Sequence, residues 1–225
     1  RRQRQMCIRD RLKASAEMAE AHKDDITELV WATGPASYGY QFGSRDLFNR
    51  VVSASLRISN TLFGWDGIHL AIEGDKSLGL LISFPGPQFE DRKKTALASV
   101  SEILLNDGHT TLEELGGLIE RAEHARWLNP ELRSATYYIH AVAVTPEQRG
   151  RRIGMKLMEL AKGLGRESEC TTLELDVLAD NPAVSFYLAQ GLSVLAETKA
   201  PDPSAHGVPP EYRMGMLLAG EEAVE

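Results

Sequence analysis

The stretch that most constrains the fold is a strand, a glycine-containing turn and a helix in direct succession. An apolar run over residues 137–144 stops at Thr145-Pro146, and a Gly- and Arg-rich turn follows over residues 149–154. Because unpaired backbone N–H groups and the positive helix end converge at such a turn, the stretch predicts a site for an anion such as a diphosphate. Apolar residues with the 4-3-4 spacing of one helix face come next, at Ile153, Leu157, Leu160 and Leu164.

Two common nucleotide-binding motifs do not fit this turn. A P-loop needs Lys-Ser or Lys-Thr after its last glycine, and neither follows Gly154. A Rossmann fingerprint needs G-x-G-x-x-G, which Gly150 and Gly154 do not satisfy. The turn instead resembles the acetyl-CoA signature Q/R-x-x-G-x-G/A of the GNAT superfamily of N-acetyltransferases, with Arg152 at the position that is usually Gly. An ordinary strand-turn-helix with a surface Arg cluster is the alternative.

A second segment carries the same resemblance. Residues 180–192 begin with polar N-cap residues and Pro182, and they end at Gly191, a typical left-handed helix stop. The superfamily has a similar helix with an Asn near its start, a Phe-Tyr pair and a closing Gly-Phe. The corresponding residues here are Asn181, Phe186, Tyr187 and Gly191, with Leu192 in place of the last Phe. On residues 136–218 the chain is identified as a member of the superfamily.

The resemblance implies an α/β fold with α+β mixing, in which helices cover both faces of a mixed central sheet of about six or seven strands in three layers. It also implies that the fourth and fifth strands splay apart, which leaves edge amides for the pantetheine arm of acetyl-CoA. No metal is expected. The residues expected to bind acetyl-CoA are Val142, Ala143, Val144, Arg149, Gly150, Arg151, Arg152, Ile153, Gly154, Met155, Asn181 and Tyr187.

Acetyl transfer to an amine needs a general base for the amine and a general acid for the departing thiolate, each typically worth ~10²–10⁴-fold. The resemblance implies that Tyr187 is the acid, and a half-buried core aromatic is the alternative. Strand alternation places Tyr138, His140, Val142 and Val144 on one face, the face that carries the base in several branches of the superfamily. His140 is therefore the candidate base. A core histidine bonded to backbone is the alternative.

The remaining polar residues predict no further site. Glu174 and Asp176 are expected to be solvated strand positions, and the other histidines lack the spacing of metal ligands. The resemblance places the acceptor site at residues 34–50 and 201–212, and leaves a small-molecule or peptide amine open. Candidates for an aromatic wall, with ordinary core packing as the alternative, are Tyr38, Tyr40, Phe42, Trp65 and Tyr212.

Composition limits the class of protein. The chain of 225 residues suits one domain, and its formal charge of −7, from 25 Lys and Arg against 32 Asp and Glu, argues against a general nucleic-acid binder. No apolar run approaches the roughly 18 residues of a membrane span. Cys7 and Cys170 give no disulfide framework, so a cytoplasmic location is expected. No nucleic-acid or membrane partner is expected, and a homodimer is left open.

The predicted organisation is an N-terminal extension over residues 1–20, one N-acetyltransferase domain over 21–219 and a tail over 220–225. Within the domain, 88–134 is a helical insert and 136–192 is the acetyl-CoA-binding core. Residues 1–11 resemble translated sequencing adapter, in which case the first strand of the fold is missing; a genuine basic head is the alternative. Helices are predicted over 15–33, 44–58, 91–105 and 111–127, and further strands over 68–73, 77–84, 171–178, 196–200 and 211–218.

These observations predict an N-acetyltransferase that moves an acetyl group from acetyl-CoA to a primary amine by direct transfer in a ternary complex. A non-catalytic acyl-CoA-binding or regulatory module of the same fold is the alternative. Arg152 and the doubtful first strand keep that alternative open.

Overall fold

The computed structural model describes residues 11–218, in which seven strands form one mixed sheet in the order β1-β2-β3-β4-β5-β7-β6. Strands β4 and β5 are parallel, and all other neighbours are antiparallel. This confirms the predicted mixed sheet. The strands are β1 Arg11–Lys13, β2 Ile68–Glu73, β3 Lys76–Pro85, β4 Thr136–Val144, β5 Thr172–Leu178, β6 Ser193–Thr198 and β7 Glu211–Leu217.

Helices cover both faces of the sheet, which confirms the predicted three layers. One apolar cluster joins the sheet to the helices before β4, and a second joins it to the helices between β4 and β6. Across residues 11–218, no helix combines the length and apolarity needed to cross a membrane. The helices are α1 Ala16–Ala21, α2 Lys23–Trp31, α3 Pro35–Phe42, α4 Arg45–Ser55, α5 Phe89–Thr95, α6 Ser101–Asn106, α7 Leu112–Ala125, α8 Ile153–Glu167, α9 Ala183–Ala189 and α10 Pro201–Ala205.

Side-chain caps lie at Ser44 and Thr111, the residues at which two of the predicted helices begin. The Leu47 N–H donates to Ser44 Oγ at 3.1 Å at the start of α4. Thr111 and Glu114 form a reciprocal capping box at the start of α7. The helix predicted over 91–105 runs from α5 to α6 through a π-helical turn at Ala96–Val100.

The N-terminal boundary lies earlier than predicted. Strand β1 pairs with β2, with Lys13 opposite His69, and Ala14 and Ala19 are buried in the core. Residues 11–20 therefore belong to the domain rather than to an extension, and a short first strand is present. The expectations for residues 1–10 and for the 220–225 tail lie outside the described residues.

Strand β4 contains a β-bulge at His140, which changes the expected pattern of faces. Ala141 pairs with Ile82 of β3 and Ile139 pairs with Ser83, so His140 is the extra residue on β4. Tyr138 and Ala141 pack in the cluster below the early helices, whereas Val142 and Val144 pack against the cluster of α8 and α9. The prediction that Val142 and Val144 share a face with Tyr138 and His140 is wrong, because the bulge reverses the alternation.

The parallel pairing of β4 and β5 covers only the first half of each strand. It runs from Thr136 opposite Thr172 to Ile139 opposite Leu175, although β4 continues to Val144 and β5 to Leu178. The two strands therefore diverge towards their carboxyl ends, as the resemblance implied. Within residues 11–218, one edge of the second half of β4 has no strand partner.

Helix α8 lies unusually close to the sheet at two glycines. A Cβ on Gly79 of β3 would lie 3.1 Å from Ile153 Cγ2, at the start of the helix. A Cβ on Gly165 would lie 2.6 Å from Leu218 Cδ1 and 3.1 Å from Tyr137 Cβ. These close approaches fix where the N-terminus of α8 meets the open edge of β4.

Two substitutions in α8 test this packing. Gly165→Ala should destabilise the protein by roughly 1–3 kcal/mol, because the new methyl group overpacks against Tyr137. A Cβ on Gly163 would have no neighbour within 4 Å, so Gly163→Ala should instead stabilise it by up to about 1 kcal/mol through helix propensity. Denaturant unfolding measures both, and two changes of the same sign would contradict the packing described.

Candidate active site

A groove with a cavity volume of about 610 Å³ opens where β4 and β5 diverge. Its walls come from the end of β4, the start of α8 and helix α9. All of the residues predicted to bind acetyl-CoA line it except Arg151. Sequence analysis did not assign acetyl-CoA binding to its other lining residues, which are Ala32, Thr33, Gln148, Pro182, Ala183, Phe186, Ala189 and Gln190.

The start of α8 has the geometry of an anion site. Gly150 has φ of 82° and Arg152 has φ of 62°, and these left-handed residues turn the chain into the helix. The first intrahelical bond runs from Lys156 N–H to the Arg152 carbonyl oxygen at 3.2 Å. The N–H groups of Ile153, Gly154 and Met155 precede that bond and are free to meet a ligand, and the helix dipole adds positive potential.

Two predicted ligands have structural roles. The Arg151 guanidinium donates to Glu73 of β2 at 2.9 and 3.2 Å, and its N–H donates to the Gln148 carbonyl oxygen. Arg151 is therefore directed away from the groove. Asn181 lines the groove, but its amide donates to the Thr33 carbonyl oxygen at 3.3 Å and its Oδ1 accepts from the Ala183 N–H at 2.9 Å. Asn181 thus bonds the first residue of α9 and ties this helix to the residues after α2.

Tyr187 of α9 lines both this groove and a second cavity. Its side chain is buried, and burial raises the pKa of the phenol above its usual value. No group in the described part of the chain hydrogen-bonds its hydroxyl. Tyr187 is therefore an intact O–H donor at neutral pH, placed between two spaces that a ligand can fill.

The second cavity has a volume of about 130 Å³ and lies between β4, β5, the start of β7 and helix α3. Thr33 and Val142 also line both spaces, so the second cavity adjoins the groove. Of the five aromatic residues considered for an acceptor wall, only Tyr38 lines this cavity. Phe42 is a core residue.

Three buried carboxylates and one arginine stand beside the second cavity. Arg213 of β7 donates to both oxygens of Asp176 at 2.6 and 2.9 Å and to Glu174 Oε2 at 3.1 Å. The side chains of Glu174 and Asp176 are 3% and 5% exposed, so the expectation that both are solvated is wrong. Their pairing with Arg213, far along the chain, is the reason that both can be buried.

Glu211, at the start of β7, is the third carboxylate. It accepts hydrogen bonds from Ser37 Oγ at 2.9 Å and from Asn129 Nδ2 at 3.2 Å, both uncharged donors. Burial and the negative charge of Asp176 raise its pKa to about 7. Sequence analysis missed Glu211 as a site residue, although it falls in the 201–212 segment assigned to acceptor binding.

His140 also lines the second cavity, but its surroundings are apolar. Its ring lies 5.1 Å from Phe63, 6.0 Å from Phe84 and 6.1 Å from Tyr138, between ring centroids. Both ring nitrogens are buried without a hydrogen-bond partner among residues 11–218. Burial and the nearby Arg92 charge lower its pKa to about 4, so the imidazole is neutral at pH 7. It is not bonded to backbone, as the alternative interpretation supposed.

The part of the chain that the structure describes holds no group of three or more His, Cys, Asp and Glu residues arranged to bind a metal ion. Cys170 is a buried free thiol that lines neither cavity.

Comparisons with known proteins agree with this architecture. Residues 107–192 match the sequence model of the Acetyltransferase (GNAT) family, and a search of curated proteins found no significant match. An N-acetyltransferase from Staphylococcus aureus Mu50 has a similar structure, with a TM-score of 0.65 and 17% identity over 91% of this chain and 98% of that one. Another acetyltransferase structure gives a TM-score of 0.63 and 17% identity over 92% and 98%.

An aminoglycoside 6'-N-acetyltransferase complexed with coenzyme A is more distant, with a TM-score of 0.50 and 12% identity over 88% of this chain and 91% of that one. At such identities the structural matches establish the fold. The splayed mixed sheet with the start of a helix over a large groove is the fold that this chain shares with those acetyltransferase structures. The matched segment, residues 107–192, is similar to the GNAT family of acetyltransferases.

The left-handed conformation of Arg152 makes a prediction about stability. Arg152→Gly should raise the free energy of unfolding by roughly 0.5–1 kcal/mol. It removes a left-handed penalty of about 1–2 kcal/mol, against an entropic cost of about 0.4–1 kcal/mol for glycine. Gly150→Ala, at the neighbouring left-handed position, is the matched control and should lower stability. Denaturant unfolding measures both, and a loss of stability in Arg152→Gly would show that the arginine side chain makes a compensating contact.

Proposed function

We propose that this protein transfers the acetyl group of acetyl-CoA to the nitrogen of a primary amine, directly, in a ternary complex. The observation that carries the proposal is that the large groove and the small acidic cavity adjoin at Tyr187. One space suits an elongated anionic cosubstrate and the other suits an amine. Acetyl-CoA supplies the activated thioester, and the protein supplies orientation and proton transfer.

The groove supports acetyl-CoA as the cosubstrate. The pyrophosphate would lie at the N–H groups of residues 153–155, where the helix dipole and free donors favour negative charge. The pantetheine arm would run along the open edge of β4 at residues 142–144, as an added strand would. Arg149 and Arg152 line the same groove and add positive charge beside the phosphates.

Tyr187 supports a role as the general acid. It lines both spaces, and its raised pKa keeps the proton on the hydroxyl until the thiolate leaves. His140 is a weaker candidate for the base than the sequence suggested, because a pKa of about 4 is far from the working pH at which a base is most effective.

The first prediction from this proposal concerns the cosubstrate. Gly154→Asp should abolish acetyl-CoA binding measured by calorimetry, because it adds negative charge beside the pyrophosphate and its Cβ would lie 3.3 Å from Phe186 Cζ. Gly163→Asp places the same charge nine residues further along α8, about 13 Å away, and should bind normally. Equal acetyl-CoA binding by both variants would show that the pyrophosphate does not bind at the start of α8.

The second prediction concerns the acid. Tyr187→Phe should lower kcat by roughly 10²-fold or more while leaving acetyl-CoA affinity unchanged, because only the hydroxyl is lost. Steady-state rates of thiol release and calorimetry separate the two effects. An unchanged kcat would show that Tyr187 is a packing residue and not the general acid. Acetyl-CoA binding without turnover of any amine by the unmodified protein would favour the alternative of a non-catalytic acyl-CoA-binding module.

A further inference from the structure

The second cavity carries more negative charge than its one buried arginine balances. Arg213 is shared between Asp176 and Glu174, and its remaining bond goes to the Pro130 carbonyl oxygen at 2.8 Å. Arg133 adds an ion pair to Glu174 from the exposed side at 3.5 Å. Glu211 is left with neutral partners only. An ionised Glu211 therefore has a charge that the described residues do not pair directly.

The position of Glu211 follows from the sheet. In the antiparallel ladder of β5 and β7, Arg213 is opposite Asp176 and Glu211 is opposite Leu178. The start of β7 thus lies beside the diverging end of β5, next to the open half of β4. Glu211 is only 7% exposed and lines the same cavity as Tyr187 and His140. The buried, unpartnered ring nitrogens of His140 in this cavity are a second sign that a polar ligand completes it.

We propose that Glu211 binds the ammonium group of the acceptor and removes its proton, and that the acceptor is a cationic primary amine with a compact head. This inference rests on the function proposed above. An unpaired carboxylate in a cavity favours a cation, and an ammonium offers three donors. The cavity of about 130 Å³ is close in size to one of about 150 Å³ that holds benzene, so it accommodates the amine and a few carbons.

The proton balance of the reaction fits this assignment. The ammonium gives one proton to the Glu211 carboxylate, and the freed lone pair forms the N–C bond with the thioester carbonyl carbon. The C–S bond breaks, Tyr187 protonates the thiolate, and the nitrogen returns a proton to the Tyr187 phenolate. The products are an amide and a free thiol, and Glu211 releases the one net proton to solvent.

The surrounding groups favour Glu211 over its neighbours as the base. Asp176 faces it from β5 and Arg213 from β7, and these two form an ion pair. Ser37 faces it from α3 and Asn129 from the segment after α7, and neither is charged at neutral pH. A pKa of about 7 for Glu211 suits proton transfer at neutral pH better than the value of about 4 for His140.

Glu211→Gln is the central variant. Gln is nearly isosteric, and its oxygen and amide can keep the bonds to Asn129 and Ser37. With propylamine as the probe, kcat/KM should fall by roughly 10²-fold or more at pH 7. Glycinamide is a much weaker base of similar size. Its loss of kcat/KM should be smaller, because a larger fraction of glycinamide reaches the site already unprotonated. For propylamine the loss should also shrink as pH rises, since the free-base fraction grows tenfold per pH unit.

Two further readouts separate proton transfer from a structural role. In the unmodified protein kcat/KM should fall below about pH 7, where Glu211 becomes protonated. Glu211→Gln should not show this decrease of kcat/KM at acidic pH, which is the acidic limb of the pH profile, and His140→Gln should still show it. The unfolding midpoint of Glu211→Gln should exceed that of the unmodified protein above pH 7. The raised folded pKa costs stability progressively as pH rises from about 4, the unfolded value, through about 7, and Gln carries no such cost.

The controls distinguish this inference from the proposed function. Glu197→Gln removes one exposed charge from the neighbouring strand β6 and should match the unmodified protein. Calorimetry should show normal acetyl-CoA affinity in Glu211→Gln. If the unmodified protein turns over amine and Glu211→Gln has the same kcat/KM, the assignment is overturned. Equal losses of kcat/KM with propylamine and glycinamide would overturn it too, as would an acidic limb of the pH profile that only His140→Gln loses. If the unmodified protein turned over neither amine, both the proposed function and the assignment of Glu211 would be overturned.

Discussion

The site depends on the place where the β4–β5 pairing stops. Up to Ile139 and Leu175 the two parallel strands are joined, and beyond those residues they separate. Buried backbone groups need partners, so the open edge of β4 needs either a covering element or a ligand. The start of α8 and helix α9 wall the resulting groove without closing it. The helix N-terminus and the open strand edge thus meet in one space, as the proposed binding of an extended, anionic thioester requires.

The polar side of the site rests on one arginine that holds two carboxylates at 3–5% exposure. Burying a charge without a partner costs free energy. The ion pairs that Asp176 and Glu174 form with the shared Arg213 offset the cost of burying these two carboxylates. Tyr138, in the paired half of β4, donates to Asp176 at 2.9 Å, which ties this cluster to β4. Glu211 lies at the edge of the cluster with neutral partners and a pKa of about 7. Glu211 therefore titrates near neutral pH in the same cavity as Tyr187, whose raised pKa keeps the phenol protonated there.

Local signals in the sequence located most of the elements but not the contacts between distant ones. The helices that begin at Ser44 and Thr111, the antiparallel pair of β2 and β3 and the strand-turn-helix at Gly150 depend on residues a few positions apart, and the sequence predicted each of these elements. The bulge at His140 arises from the register with β3, and no spacing within β4 reveals it. Glu211 reaches Ser37 across 174 positions. A single sequence carries no sign of such a pairing, and alternation alone made Glu174 and Asp176 look solvated.

The central claim is that thioester and amine meet in one complex at the divergence of β4 and β5. The most direct test is the initial rate of thiol release at several fixed propylamine concentrations while acetyl-CoA is varied. Direct transfer predicts double-reciprocal lines that intersect, with release that depends on amine. Parallel lines would indicate a covalent acetyl-enzyme, and thiol release independent of amine would indicate hydrolysis. Either result would contradict the account.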